Sequence, residues 1–167
     1  MTPRDEVDRI VAAWRRERPD LDPAPLQVFS RLSRLARQLE LARRTAFNTH
    51  GLESGAFDVL SALRRSGEPY ELTPGKLLAE TLVTSGTMTN RINRLARAGY
   101  VQRAADARDG RVVLVRLTVE GKAVVDAAMA DLLAWEAELL EGLDAGAQAE
   151  LAGLLRRLAA PFEESEG

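Results

Sequence analysis

A mainly α chain with one small β-hairpin is the fold class this sequence predicts, and three observations carry it. Apolar residues recur at three- and four-residue spacing along most of the chain. Thr73-Pro74 and Thr84-Ser85 read as the openings of two helices joined by a tight turn. After Gly99, two short strand-like runs flank Asp109-Gly110, a dipeptide favoured in type I′ hairpin turns because both central positions need a positive φ. With 167 residues, 46% of them hydrophobic, the chain can bury one core and is read as one continuous structural domain.

Val7, Ile10, Val11 and Trp14 repeat at helical spacing, which predicts a short amphipathic helix over about residues 4–17. Pro19 to Pro23 ends it. Asp22 is placed to cap the next helix, with Pro23 in its first turn, and Leu26, Phe29, Leu32, Leu35 and Leu39 carry an apolar stripe towards Phe47. Gly51 breaks that helix. Ser54 is read as the cap of a third, with Phe57, Leu60 and Leu63 on its apolar face, stopping near Ser66-Gly67-Glu68-Pro69. Tyr70-Glu71-Leu72 is a very short strand candidate. A helix holding Leu77, Leu78 and Leu82 follows Thr73-Pro74, and a second, with Met88, Ile92 and Leu95 on one face, follows Thr84 or Ser85. So close a pair is a helix-turn-helix candidate. Tyr100 to Arg103 and Val112 to Leu117 are the strands of a wing around residues 106–111. Thr118 caps a helix from about Val119 to Leu143, and Asp144 opens a last one through Leu151, Leu154, Leu155 and Leu158. Residues 163–167 read as a frayed acidic tail.

Composition removes several function classes. There is no cysteine, so disulfides, thiolate metal sites and cysteine nucleophiles are excluded together. The single histidine, His50, cannot supply a multi-histidine zinc site, and nothing near it suggests the oriented base of a serine-histidine triad. No catalytic constellation, metal or cofactor is expected. No apolar run is long enough to cross a bilayer, and the charged N-terminus lacks a following apolar segment, which reads as a soluble cytoplasmic protein.

The net charge of −2 hides a segregation. Between Ser85 and Arg116 stand seven arginines and two aspartates, a local charge of +5 against −7 for the remainder. Charge gathered on one element is the electrostatic footprint of phosphate binding. The plainer alternative is a solvated arginine-rich surface helix. A major groove admits one helix, and base edges are read there by side chains with reach and paired donors or acceptors. Thr87, Asn90, Arg91 and Arg94 lie opposite the Met88-Ile92-Leu95 stripe, with Ser85, Gly86 and Thr89 at the helix start, where backbone N–H groups can approach a phosphate. Arg108 and Arg111 flank the wing turn, where a projecting arginine can enter a minor groove. Asp109 is placed to pin the loop through its own backbone or a neighbouring arginine.

The order helix-turn-helix, strand, Asp-x-Arg-Asp-x-Arg wing, strand ending Leu117-Thr118-Val119-Glu120-Gly121, then two helices, resembles the MarR-type winged-helix regulators from about Leu26 to Phe162. Leu-Thr-x-x-Gly after the wing Asp109-Gly110-Arg111 is the more specific part of the match. The turn at Leu82-Val83-Thr84 departs from the pattern in lacking a glycine. The resemblance implies a winged helix-turn-helix domain plus N- and C-terminal dimerisation helices. On that reading the chain has an extra N-terminal helix (1–18), dimerisation and scaffold helices (19–66), a DNA-binding module (67–118) and C-terminal dimerisation helices (119–167). It also implies a homodimer that sets paired recognition helices on pseudo-palindromic double-stranded DNA.

The helix before Pro19 is additional to the basic plan and is similar to the subgroup that contains the urate-responsive, PecS-like and TamR-like repressors. That subgroup is associated with a tryptophan, an aspartate and two arginines, found here as Trp14, Asp58, Arg91 and Arg103. The run Leu82 to Ile92 looks close to TamR. The TamR resemblance implies a small anionic effector such as trans-aconitate or citrate; the other branch implies urate. Chemistry alone supports an anion, because two arginines can clamp a carboxylate bidentately. The competing readings are a solvated carboxylate at Asp58 and a core side chain at Trp14. For the whole chain they are a ligand-independent DNA architectural protein and an enzyme; His50, near a helix end, reads as surface, with a pH switch as its alternative.

Overall fold

The computed structural model describes residues 4–81, 84–105, 109 and 111–163. In chain order its elements are α1 (Glu6–Glu17), α2 (Leu26–Thr49), α3 (Ser54–Arg65), β1 (Glu71–Leu72), α4 (Pro74–Thr81), α5 (Ser85–Arg97), β2 (Val101–Ala105), β3 (Val113–Leu117), α6 (Val119–Leu140) and α7 (Ala145–Glu163). The mainly α class with a small β-wing is borne out, and the strands form one antiparallel sheet in the order β1-β3-β2. The chain divides into two compact units, Met1–Ala56 and Phe57–Gly167.

In the first unit, α1 opens with a reciprocal capping box. The Asp8 N–H donates to the Asp5 carboxylate at 3.0 Å, and the Asp5 N–H to that of Asp8 at 3.0 Å. Val7 and Val11 are buried as the periodicity predicts. Trp14 is 47% exposed, which corrects the core alternative for that side chain. Arg31 of α2 donates to both capping carboxylates, to Asp5 at 2.7 Å and Asp8 at 2.9 Å, and Arg34 donates to Glu6 at 2.7 Å. These arginines hold the carboxyls of Asp5 and Glu6 below their usual range.

Helix α2 begins at Leu26, three residues later than Pro23. Asp22 does not cap it; its carboxylate accepts from the Ala24 N–H at 3.0 Å and closes a local turn between the two prolines. Pro25 therefore occupies the cap position without a side-chain bond. Gly51 ends the helix at φ +68°, with Leu52 N–H reaching the Phe47 carbonyl at 3.0 Å and both side chains buried. Most of the α2 stripe stays uncovered, with Phe29 50% and Leu35 60% exposed. Ser54 is the first residue of α3 rather than its cap, and its hydroxyl is buried without a hydrogen-bond partner.

In the second unit, α3 buries Phe57 and every residue from Val59 to Leu63. Thr73 caps α4 as predicted, accepting from the Lys76 N–H at 3.2 Å. At α5 the cap position is Thr84, but its hydroxyl meets that of Thr87 at 3.0 Å instead of a backbone N–H. Gly99, at φ +79°, ends α5, with Tyr100 N–H on the Leu95 carbonyl at 3.0 Å.

The junction into α6 explains the Leu-Thr-x-x-Gly signature physically. Thr118 accepts from the Gly121 N–H at 2.9 Å while its own hydroxyl donates to the Gly99 carbonyl at 2.7 Å. A Cβ on Gly121 would stand 2.0 Å from the Tyr100 carbonyl oxygen, so only glycine lets α6 pass that close. Tyr70 lies between two cations, with Arg64 at 4.9 Å and Lys122 at 5.4 Å from its ring, and Arg64 also donates to Asp126 at 2.8 Å. Helix α6 ends at Leu140, short of the expected Leu143. Asp144 caps α7 through the Ala147 N–H at 2.8 Å, and Leu151, Leu154 and Leu155 of α7 are exposed.

Candidate nucleic-acid interface

Helix α5 is positioned by Met88, Ile92 and Leu95, all buried, which lock its inner face. Ser85, Gly86, Thr87, Thr89, Asn90 and Arg94 are exposed as the periodicity predicts. No heavy atom lies within 4 Å of where a Gly86 side chain would begin, so among the described residues nothing obstructs the start of the helix. Thr89 donates its hydroxyl back to the Ser85 carbonyl at 3.1 Å, a bond satisfied inside the helix.

Arg91 differs from its neighbours. It is half-buried, and its Nη1 is shielded from solvent with no hydrogen-bond partner. A buried guanidinium nitrogen without a partner is costly, and such exceptions call for an explanation. Arg103, exposed on β2, donates from Nη2 to Asn93 Oδ1 on α5 at 2.7 Å. That joins strand and helix through a residue the sequence reading passed over. Asp58 is half-buried on α3, between the buried Phe57 and Val59. Trp14 belongs to the first unit and is described there.

The wing keeps β2 and β3 in register from Val101↔Leu117 to Ala105↔Val113, and the type I′ turn expected at Asp109-Gly110 falls partly outside the described residues. Val112 N–H donates to the Asp109 carbonyl at 2.9 Å, and Arg111 N–H to the Asp109 carboxylate at 3.0 Å. Asp109 pins its own backbone, as expected, and Arg111 is exposed beside it. Arg108, Gly110, Leu82 and Val83 lie outside the described residues. At the other edge of the sheet, Arg116 Nη2 meets Glu71 at 2.7 Å, tying β3 to β1 and removing one cation from the basic count.

Among the described residues no cluster of histidine, aspartate or glutamate could hold a metal ion, and no helix is long and apolar enough to cross a membrane. His50 is the half-buried C-terminal cap residue of α2, its backbone N–H on the Phe47 carbonyl at 3.0 Å.

What remains is a helix with a locked inner face and an outward polar face, beside a short hairpin ending in an arginine. Solved structures share that architecture. A MarR family protein from Bacillus stearothermophilus matches with a TM-score of 0.73 at 22% identity, over 86% of this chain and 98% of that one. Bordetella bronchiseptica BpsR, a protein whose DNA binding is regulated by 6-hydroxynicotinic acid, matches with a TM-score of 0.60 at 24% identity, over 77% and 98%. At those identities the likeness shows the fold. In sequence, the MarR family profile matches residues 50–112. The HTH-type transcriptional regulator PecS of Dickeya dadantii (strain 3937) is 34% identical over 153 residues, covering 92% of each chain. On that match the chain belongs to the MarR family of winged-helix transcriptional regulators.

Proposed function

We propose that this regulator is a repressor that binds a pseudo-palindromic operator as a homodimer and is released by a small anionic metabolite such as trans-aconitate or citrate. Ser85, Gly86, Thr87, Thr89, Asn90, Arg91 and Arg94 are its groove-facing residues, with Arg108 and Arg111 on the wing. The uncovered apolar faces of α2 and α7 are what a second copy would bury. Two recognition helices would then meet half-sites about one turn, roughly 34 Å, apart.

The observation that carries the effector reading is the partnerless Nη1 of Arg91 on the helix that also presents Asn90 and Arg94. An anion would satisfy it. Trp14, Asp58, Arg91 and Arg103 form the proposed effector site, in line with the TamR-like and PecS-like resemblance. A bound anion repels Asp58 and pulls Arg91, so the reading helix shifts and the dimer no longer matches its two half-sites. A small acid acting on BpsR gives the same class of control in a protein of this fold. Urate is the second reading, favoured by the half-exposed Trp14 indole, which suits stacking on a planar purine.

Operator binding on the upstream region of the protein's own gene, titrated with trans-aconitate, citrate and urate, tests both. Asn90→Ala and Arg94→Ala should each weaken operator binding by about 1–3 kcal/mol, or roughly 5- to 150-fold, without changing effector binding. Wild-type effector response in Asp58→Ala and Arg103→Ala would refute the site.

A further inference from the structure

Resting on the effector site proposed above, we infer that Asn93 is a positioning residue that couples the wing arginine Arg103 to the DNA-reading helix. Two independent features point to it. The first is the hydrogen bond from Arg103 Nη2 to Asn93 Oδ1 at 2.7 Å, which spans ten residues of sequence and joins β2 to α5 directly. The second is the register that puts Arg103 there. Side chains two apart on a strand share a face. Val101, on the same face of β2 as Arg103, is buried in the core, and Arg103 emerges beyond it, opposite the buried Val115. Asn93 meets it from the flank of α5, between the buried Ile92 and the exposed Arg94.

The chemistry suits a link. A guanidinium carries five N–H donors in a planar fork, so one edge can rest on an amide oxygen while another faces an anion. Arg91 stands on α5 itself, whereas Arg103 stands on the wing and reaches α5 through Asn93. An anion gripping both arginines therefore draws on helix and wing as one body. Without the Asn93 amide, the same anion still pulls α5 through Arg91, but its hold on Arg103 moves the wing alone and adds nothing to the shift of the helix. Asn93 then governs how far binding at the effector site is transmitted to the operator and has little effect on whether the anion binds.

The test separates those two quantities. Operator affinity is measured with and without trans-aconitate, citrate and urate as separate probes, and probe binding to the free protein is read from the thermal shift. Alanine is a good helix former, so Asn93→Ala should melt within a few degrees of wild type. It is expected to bind the active probe within about twofold of wild type. The fold loss of operator affinity that the probe causes should shrink by about three- to tenfold, the scale of one hydrogen bond to a charged group in a partly exposed setting. Asn93→Asp keeps an oxygen acceptor for Arg103 and should retain the full loss. An undiminished loss in Asn93→Ala, a diminished one in Asn93→Asp, or abolished probe binding in Asn93→Ala would each overturn the inference. Arg103→Ala responding like wild type would instead refute the effector site itself, and a wild-type protein indifferent to all three probes would remove both.

Discussion

Helices α2 and α5 carry apolar stripes of the same period and meet opposite fates. On α5, Met88, Ile92 and Leu95 are buried; on α2, Phe29, Leu32 and Leu35 are exposed and only Phe47 is buried. Periodicity announces that a helix has an apolar face, and it is silent about what covers that face. The α5 stripe is satisfied within its own unit of the chain, while the α2 stripe is left for another surface. α7 sides with α2, since none of its described side chains is buried.

The sharpest way to break this contrast is to place a charge in each stripe. Ile92→Asp puts an unpaired carboxylate in a closed core and should cost more than about 4 kcal/mol, seen as loss of the cooperative melting transition. Leu35→Asp should leave the helical signal of the protomer intact and act on the proposed association, read by sedimentation as a shift from dimer to monomer. A Leu35→Asp protein that stays dimeric would remove α2 from the interface.

A smaller effect is expected where backbones touch. Gly121→Ala drives a methyl against the Tyr100 carbonyl, and backbone yields poorly. About 3 kcal/mol is expected, a fall of roughly 6–12 °C in melting temperature for a chain of this size. Gly86→Ala, with nothing nearby, is the control and should leave stability nearly unchanged.

The smallest effect concerns the ion pairs of α1. Arg31 and Arg34 lower the pKa of Asp5 and Glu6, so the folded state binds fewer protons than the unfolded one in the acid range. Their contribution is complete above the unfolded values, about 3.9 and 4.3, and is lost as pH falls through the lowered folded values. Hydrogen exchange at α1 amides should therefore be flat from pH 7 to about 5, once corrected for intrinsic rates, and show loosening only below about pH 4. The pairs are exposed, so salt should reproduce part of the change.

Element order, helix α5 with its buried face, and most caps were legible because they depend on local chemistry. Thr73, Thr118 and Asp144 each bond a backbone N–H three residues on. Failures came where two local signals competed or where a partner was distant. Pro23 read as the first turn of α2, but the Asp22 carboxylate closes a turn on the Ala24 N–H and the helix starts at Leu26. Asn93 was illegible for the second reason, since its partner is on another element and an asparagine beside Arg94 reads as ordinary helix surface.

The Gly121 junction fixes the base of a long lever. Helix α6 has 22 residues and so measures about 33 Å, and its first turn is clamped to the carbonyls that terminate α5. A tilt of about 5° at that clamp would swing the far end of α6 by roughly 3 Å. Conversely, a far end held still would return the same small angle to α5.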